Sequence, residues 1–312
     1  MRQTVRHVGM ILGVVGMAAA MAAGCSETVK PDPAGAVDNL DPMNPSDWSC
    51  PENSLVAKMV LITAMDGKPY CIDEREVVYG EYKTFVEAKK DDFSGQPPEC
   101  EWNKDYGPVE VHPAWYADVP PQRCGPSLST ANPDRAVQCT DFCDAWAFCA
   151  WAGKRLCGLR GAEHGKVALV STSDDNEELN VALKVTRTTQ SEWNNVCTQG
   201  GTSKFPYGDE LVRGICIDST MLAARGDAAY DSRNTSKSEC HGTQPPYDQV
   251  WNMSGSIPQW LNICVPYECV SHGGRLGDDG WSCGGTVGLT SIRTPYFGIR
   301  CCSDVIPKVL GR

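Results

Sequence analysis

Residues Thr140–Cys157 read TDFCDAWAFCAWAGKRLC. Phe142, Ala145, Trp146, Cys149 and Ala152 recur at i, i+3 and i+4, which predicts a helix with one buried face. Thr140 or Asp141 offers the N-cap oxygen, and Gly153 offers the left-handed stop. Cys139, Cys143, Cys149 and Cys157 crowd into and around this stretch. They lack the paired CxxC knuckles of a structural zinc site, and no histidine pair lies nearby. Whether they bond to one another or to distant partners depends on the compartment in which the chain folds.

The N-terminus, MRQTVRHVGMILGVVGMAAAMAAGC, points to export. Arg2 and Arg6 precede an apolar run from Val8 to Gly24 that is short for a membrane span and ends in small residues. Ala22-Ala23-Gly24-Cys25 resembles a bacterial lipobox, so residues 1–24 are expected to be a signal peptide and Cys25 to be lipidated. Ser26 follows it. The expected location is therefore lipid-anchored in the cell envelope, at the outer membrane or cell surface, with the membrane as one partner.

The chain holds 17 cysteines. Setting Cys25 aside leaves an even number, which outside the cytosol is most simply a disulfide framework. Formal charge is −11, and losing Arg2 and Arg6 with the leader takes the mature chain to about −13. Such an acidic surface without a basic stripe argues against a nucleic-acid partner. Residues 25–48, rich in Pro, Asp and Asn, read as a flexible tether. Residues 49–302 read as the folded domain and 303–312 as a tail. Within the domain, SLVAKMVLITAM (Ser54–Met65) and PYCIDEREVV (Pro69–Val78) read as strands, and DDNEELNVALKV (Asp174–Val185) as a further helical segment. Much of the rest is dense in Gly, Pro, Asn and Ser, so the expected fold is α+β, loop-rich and disulfide-stapled.

Six segments in order resemble the formylglycine-generating enzyme, or sulfatase-modifying factor, family. They are YCIDEREVVYGEYKTF (Tyr70–Phe85), CDAWAFCAWAGKRLC (Cys143–Cys157), FPYGDE (Phe205–Glu210), VWNMSGSIPQWL (Val250–Leu261), GGR (Gly273–Arg275) and FGIRCC (Phe297–Cys302). The resemblance runs from about Met59 to Cys302 and implies a variant of the C-type lectin fold. It also implies a Cu(I) site of two cysteines about five residues apart, because soft thiolates select Cu(I). Cys283 fills the second place and is the one catalytic candidate. Asp278, a hard oxygen donor, stands at the first, and Arg275 replaces the family serine. The family's calcium-binding Asn and Glu become Ser256 and Gln259, which lack the carboxylate charge calcium prefers.

The resemblance further implies a Cys149–Cys301 disulfide. Cys302 then needs another partner, and Cys283 has Cys302 or Cys197 among its candidates or remains a free thiol. Cys264 and Cys269 enclose a small loop and are expected to pair locally. No other chemistry stands out. His112, His164, His241 and His272 are scattered without ligand spacing. No G-x-S-x-G elbow is present. Asp278-Asp279 reads as a solvated turn, and Lys154-Arg155 as structure at the helix exit. The expectation is a non-catalytic domain that binds a protein, peptide or glycan, with no cofactor. Copper or calcium enters only if the family site is retained. The alternative is an active formylglycine-generating-type oxidase or a divergent metal-dependent enzyme of the same family.

Overall fold

In chain order the strands are β1 (Trp48–Ser49), β2 (Met59–Thr63), β3 (Pro69–Asp73), β4 (Arg155–Leu156), β5 (Gln259–Val265), β6 (Glu268–His272), β7 (Thr286–Ser291), β8 (Cys301–Ser303) and β9 (Ile306–Pro307). The helices are α1 (Tyr79–Lys89), α2 (Phe142–Trp151), α3 (Asp175–Thr186), α4 (Glu192–Cys197) and α5 (Ser219–Arg225). These come from a computed structural model that describes residues 40–108, 125–163, 165–170, 175–226, 239–274 and 282–308. Residues 1–39 with Cys25, the Arg275–Trp281 stretch with Asp278 and Asp279, His112, His164 and residues 309–312 lie outside the described residues.

Strands assemble into three antiparallel sheets, ordered β2-β3-β8-β4, β5-β6-β7 and β1-β9. In the β2–β3 hairpin Met59 faces Asp73 and Thr63 faces Pro69. Its register buries Val60, Ile62, Tyr70 and Ile72 in one core with Trp193, Leu261 and Ile263. A second core gathers the aromatic faces of α1 and α2. There Phe85 meets Phe148 edge-on at 5.6 Å, and Phe142 meets Trp260 at 5.9 Å.

Helix α2 shows how its sequence specifies both ends. Asp141 Oδ1 accepts from the Asp144 backbone N–H at 2.9 Å, and Asp144 Oδ2 accepts from the Asp141 N–H at 3.2 Å. This reciprocal box satisfies two of the helix's orphan donors. At the other end Gly153 adopts φ +74°. The Gly153 N–H then reaches the Ala150 carbonyl and the Lys154 N–H reaches the Cys149 carbonyl, closing a Schellman turn.

That turn delivers Lys154 into the core. Lys154 Nζ donates to Asp73 Oδ1 and to the Ala57 carbonyl, with both charged side chains buried. Asp73 Oδ2 accepts from the Cys301 N–H at 2.9 Å, and the Asp73 carbonyl accepts from Arg300 at 2.8 Å. Nearby, Arg75 grips Glu81 through two bonds, and Glu81 accepts from the Val78 N–H at 3.1 Å to cap α1. The charged letters of the sequence motifs are thus cross-braces between β3, α1, α2 and β8. A buried pair of this kind is costly to break one side at a time.

Disulfides complete the frame. Cys149–Cys301 and Cys157–Cys302 tie α2 and β4 to β8. Cys50–Cys71, Cys100–Cys143, Cys197–Cys283, Cys216–Cys240 and Cys264–Cys269 staple loops. Cys139 is disulfide-bonded too, so every cysteine among the described residues is bonded. The crowded cysteines of the helix region therefore go to different partners rather than to one metal. The fold is α+β, loop-rich and disulfide-stapled.

The end of the predicted tether and the start of the predicted tail belong to the folded unit. Trp48 pairs with Pro307 and Ser49 with Ile306, and the Lys308 N–H reaches the Asp47 carbonyl at 2.8 Å. No helix among the described residues is long and apolar enough to cross a membrane.

Candidate functional site

Residues named by the sequence motifs converge where α4, β5, β6 and the segment before β7 meet. On β5 and β6, Gln259 and His272 are direct cross-strand partners. Trp193 of α4 covers both: its indole N–H donates to Gln259 Oε1 at 2.8 Å, and its ring lies 4.3 Å from the imidazole. Helix α4 is capped by Ser191, whose side chain accepts from the Asn194 N–H, and ends at Cys197, which is bonded to Cys283. Gly273 carries the chain past Trp193. A Cβ there would stand 3.3 Å from the indole ring, and the residue sits at φ +120°. Trp193, Gln259, His272 and Cys283 are all buried.

Each expected ligand can be tested against this geometry. A Cu(I) site needs thiolates, and Cys283 Sγ is spent in the bond to Cys197. Cys302, the other candidate partner of Cys283, is bonded to Cys157. The described donor set does not fit Cu(I). Nor does it fit calcium. Gln259 Oε1, the oxygen that would face such an ion, accepts from Trp193 and from Arg300 Nε at 2.9 Å. A guanidinium in that place repels a divalent cation and takes the lone pairs it requires. Arg300 is anchored there by the Asp73 and Trp251 carbonyls, at 2.8 and 2.7 Å. Ser256 lies in a tight passage: its N–H reaches the Ile217 carbonyl at 3.1 Å, and a Cβ on the preceding Gly255 would strike that carbonyl at 2.4 Å. Its Oγ is buried without a hydrogen-bond partner among the described residues.

Electrostatics remove His272 from acid–base work. Burial, and then the nearby Arg187, push its imidazole down to about 3, against a smaller opposing effect of the Gly285 backbone. It is neutral at physiological pH and sealed under Trp193. Asp141 and Asp144 show the opposite trend: burial raises both, and their proximity makes the pair hold a proton beyond the usual carboxylate range.

These shifts predict a pH signature. Between about pH 6.5 and 3 the unfolded chain protonates His272 while the folded chain does not, so this group's stabilisation is present above 6.5 and lost on acidification. Asp141 and Asp144 oppose it, because the folded pair keeps a proton that the unfolded chain releases as pH rises above about 4. The wild-type slope sums these with other shifted carboxylates, among them Asp73, raised by burial, and Asp92, lowered by its bond from Lys89. Removing the imidazole in His272→Phe is expected to make the variant gain on the wild type as pH falls, by about 1.4 kcal/mol per pH unit across that window. Urea unfolding at several pH values measures it, and a constant gap between the two proteins would contradict the assignment.

Sequence reasoning left Trp193 and Arg300 without a role and noted His272 only as lacking ligand spacing. Signals for them existed: His272 directly precedes the glycine pair, and Arg300 lies inside FGIRCC. Cys264–Cys269 closes the β5–β6 hairpin tip and Cys149–Cys301 lies in the frame, so neither touches the Trp193–Gln259–His272 group directly.

No curated protein matches the chain. Among solved structures it is similar to PvdO from Pseudomonas aeruginosa, at 13% identity and TM-score 0.43, covering 76% of this chain and 81% of that one. It is also similar to CarF, at 14% identity and TM-score 0.39, covering 83% and 95% respectively. The family model described as sulfatase-modifying factor enzyme 1-like domain matches residues 61–286, which takes in every motif from Tyr70 to the GGR segment. The chain belongs to the sulfatase-modifying factor enzyme 1-like domain family.

Proposed function

We propose that this chain is an exported, lipid-anchored envelope protein whose sulfatase-modifying-factor-like domain binds a protein, peptide or glycan and no longer oxidises cysteine. The observation that carries the loss of catalysis is the Cys197–Cys283 disulfide: it occupies the one sulfur aligned with a copper ligand. The Gln259–Arg300 contact at 2.9 Å supports the same reading for calcium. Export is supported by the leader-like N-terminus ending at Cys25 and by a cysteine set that is bonded throughout the described residues, as oxidising compartments allow. Ligand binding rests on what remains once catalysis is set aside: a rigid, stapled frame carrying long irregular loops, where recognition residues commonly sit.

Two measurements test the proposal. Mature, non-reduced protein incubated with Cu(I), oxygen and a cysteine-containing peptide is expected to form no aldehyde on the peptide; aldehyde formation on the peptide means the oxidase reading is right. In the producing cell, Cys25→Ser is expected to release the protein from the membrane fraction, and continued membrane association would refute lipidation at that residue.

A further inference from the structure

A cavity of about 430 Å³ lies at the C-terminal end of α2, walled by Trp146, Ala150, Leu156, Pro51, Val305 and Ile306. Its size falls in the range of ligand pockets. Three more of its lining residues are glycines, Gly95, Gly153 and Gly165, and nothing stands within 4 Å of where a Cβ would be on any of them. The walls therefore open onto space rather than onto packed neighbours.

The polar groups around it are already engaged. Lys154 is held by Asp73 and the Ala57 carbonyl. Arg155 makes two bonds to Glu192, at 2.6 and 2.7 Å, and one to Asp304 at 3.2 Å. Ser303 Oγ donates to the Asp304 carbonyl at 3.0 Å. A saccharide, which needs several convergent hydrogen-bonding groups, finds few here. A large apolar side chain finds an indole and an aliphatic wall. At the mouth stands Asp304, which is itself bonded to Arg155 but whose side chain is 58% exposed. It also lines a second cavity of about 300 Å³ with Asp66, Glu192, Lys68 and Arg160. There Arg160 is drawn to Glu192 and Asp66, each at 3.6 Å, and Lys68 is exposed. The chain as a whole carries −11, so a basic partner is favoured over an acidic one.

We infer that the α2 cavity receives a large apolar side chain of a peptide segment, with Asp304 at its mouth facing an adjacent Lys or Arg of that segment. This rests on the binding reading proposed above and gives it a place and a ligand class. The site is separate from the Trp193–Gln259–His272 group and uses none of its residues.

Ala150 is exposed on α2, so Ala150→Trp is expected to fill the cavity without disturbing the core. Ile306→Trp, 46% exposed in the native chain, fills it from the opposite wall. Mature wild-type protein panned against an immobilised random hexapeptide library is expected to enrich peptides with Trp, Phe, Leu or Met beside Lys or Arg. Each filling variant, with an unchanged melting temperature, is expected to bind a recovered peptide at least 10-fold more weakly. Asp304→Asn is expected to lose about 2- to 5-fold, as for an exposed ion pair, while keeping the apolar preference. If both filling variants bind like wild type, the site is elsewhere and only the general binding reading survives. If an oligosaccharide array gives signal and the peptide library none, the ligand class is wrong. If neither gives signal, this inference and the binding reading fall together. Aldehyde formation on a cysteine-containing peptide alongside cavity-dependent peptide binding would instead sink the non-catalytic reading and leave the cavity assignment standing.

Discussion

Asp73→Ala is expected to destabilise the domain by about 3–5 kcal/mol, the cost of leaving a buried charge uncompensated. Lys154 Nζ would keep only the Ala57 carbonyl, and the Cys301 N–H would lose its carboxylate acceptor, whereas the bond from Arg300 to the Asp73 backbone carbonyl would remain. Against the roughly 5–15 kcal/mol by which ordinary domains are stable, this is a large fraction. Asp73→Leu combined with Lys154→Met is expected to recover much of the loss, because an apolar pair of similar volume removes the desolvation penalty along with the attraction. Urea midpoints of the single and double variants under non-reducing conditions decide it. A double variant no more stable than the Asp73 single variant would show that the lost bond from the Cys301 N–H to Asp73 Oδ2 matters more than the ion pair.

The second large effect concerns the twin disulfides. Cys149–Cys301 and Cys157–Cys302 span sequence separations of 152 and 145 and close nearly the same loop. Once one is present, the other constrains only a short residual loop. Removing either pair by Cys→Ala at both ends is expected to cost about 2–3 kcal/mol, whereas removing both is expected to cost about 6–7 kcal/mol, on the chain-entropy account. The excess over additivity is the signature. Strictly additive losses would mean that local packing around each bridge, rather than shared loop closure, sets its contribution.

Some of this architecture was legible before any coordinates. Helix α2 declares itself because one stretch carries the cap, the periodic face and the terminating glycine, all local signals. Strands β2 and β3 follow from β-rich apolar letters, though their pairing into a hairpin was not read from them. Helix α4, Glu192–Cys197, did not show, since six residues rich in Asn cannot nucleate a helix alone. It forms because Trp193 and Val196 pack into the core beside Leu261 and Ile263. The β1–β9 pairing was hidden for a related reason: its two-residue strands have no periodicity to read, and their partners lie at opposite ends of the chain.

The site was legible in part. The departures at Asp278, Ser256 and Gln259 are visible as letters. Their consequence at Gln259 is not, because it depends on Arg300 reaching across from the FGIRCC segment. Likewise no spacing rule connects Cys197 to Cys283, which are 86 residues apart; their pairing is a product of the fold that places the end of α4 beside the segment leading into β7. The motif charges show the converse. Lys154 and Asp73 stand in two of the family-like segments, yet their partners make them braces of the frame.

The claim that Cys283 is closed to copper can be tested most directly by disulfide mapping of mature, non-reduced protein after alkylation. The account predicts that the peptide carrying Cys283 is recovered linked to the one carrying Cys197, with neither cysteine alkylated. Recovery of Cys283 as an alkylated free thiol would contradict it and reopen the oxidase reading.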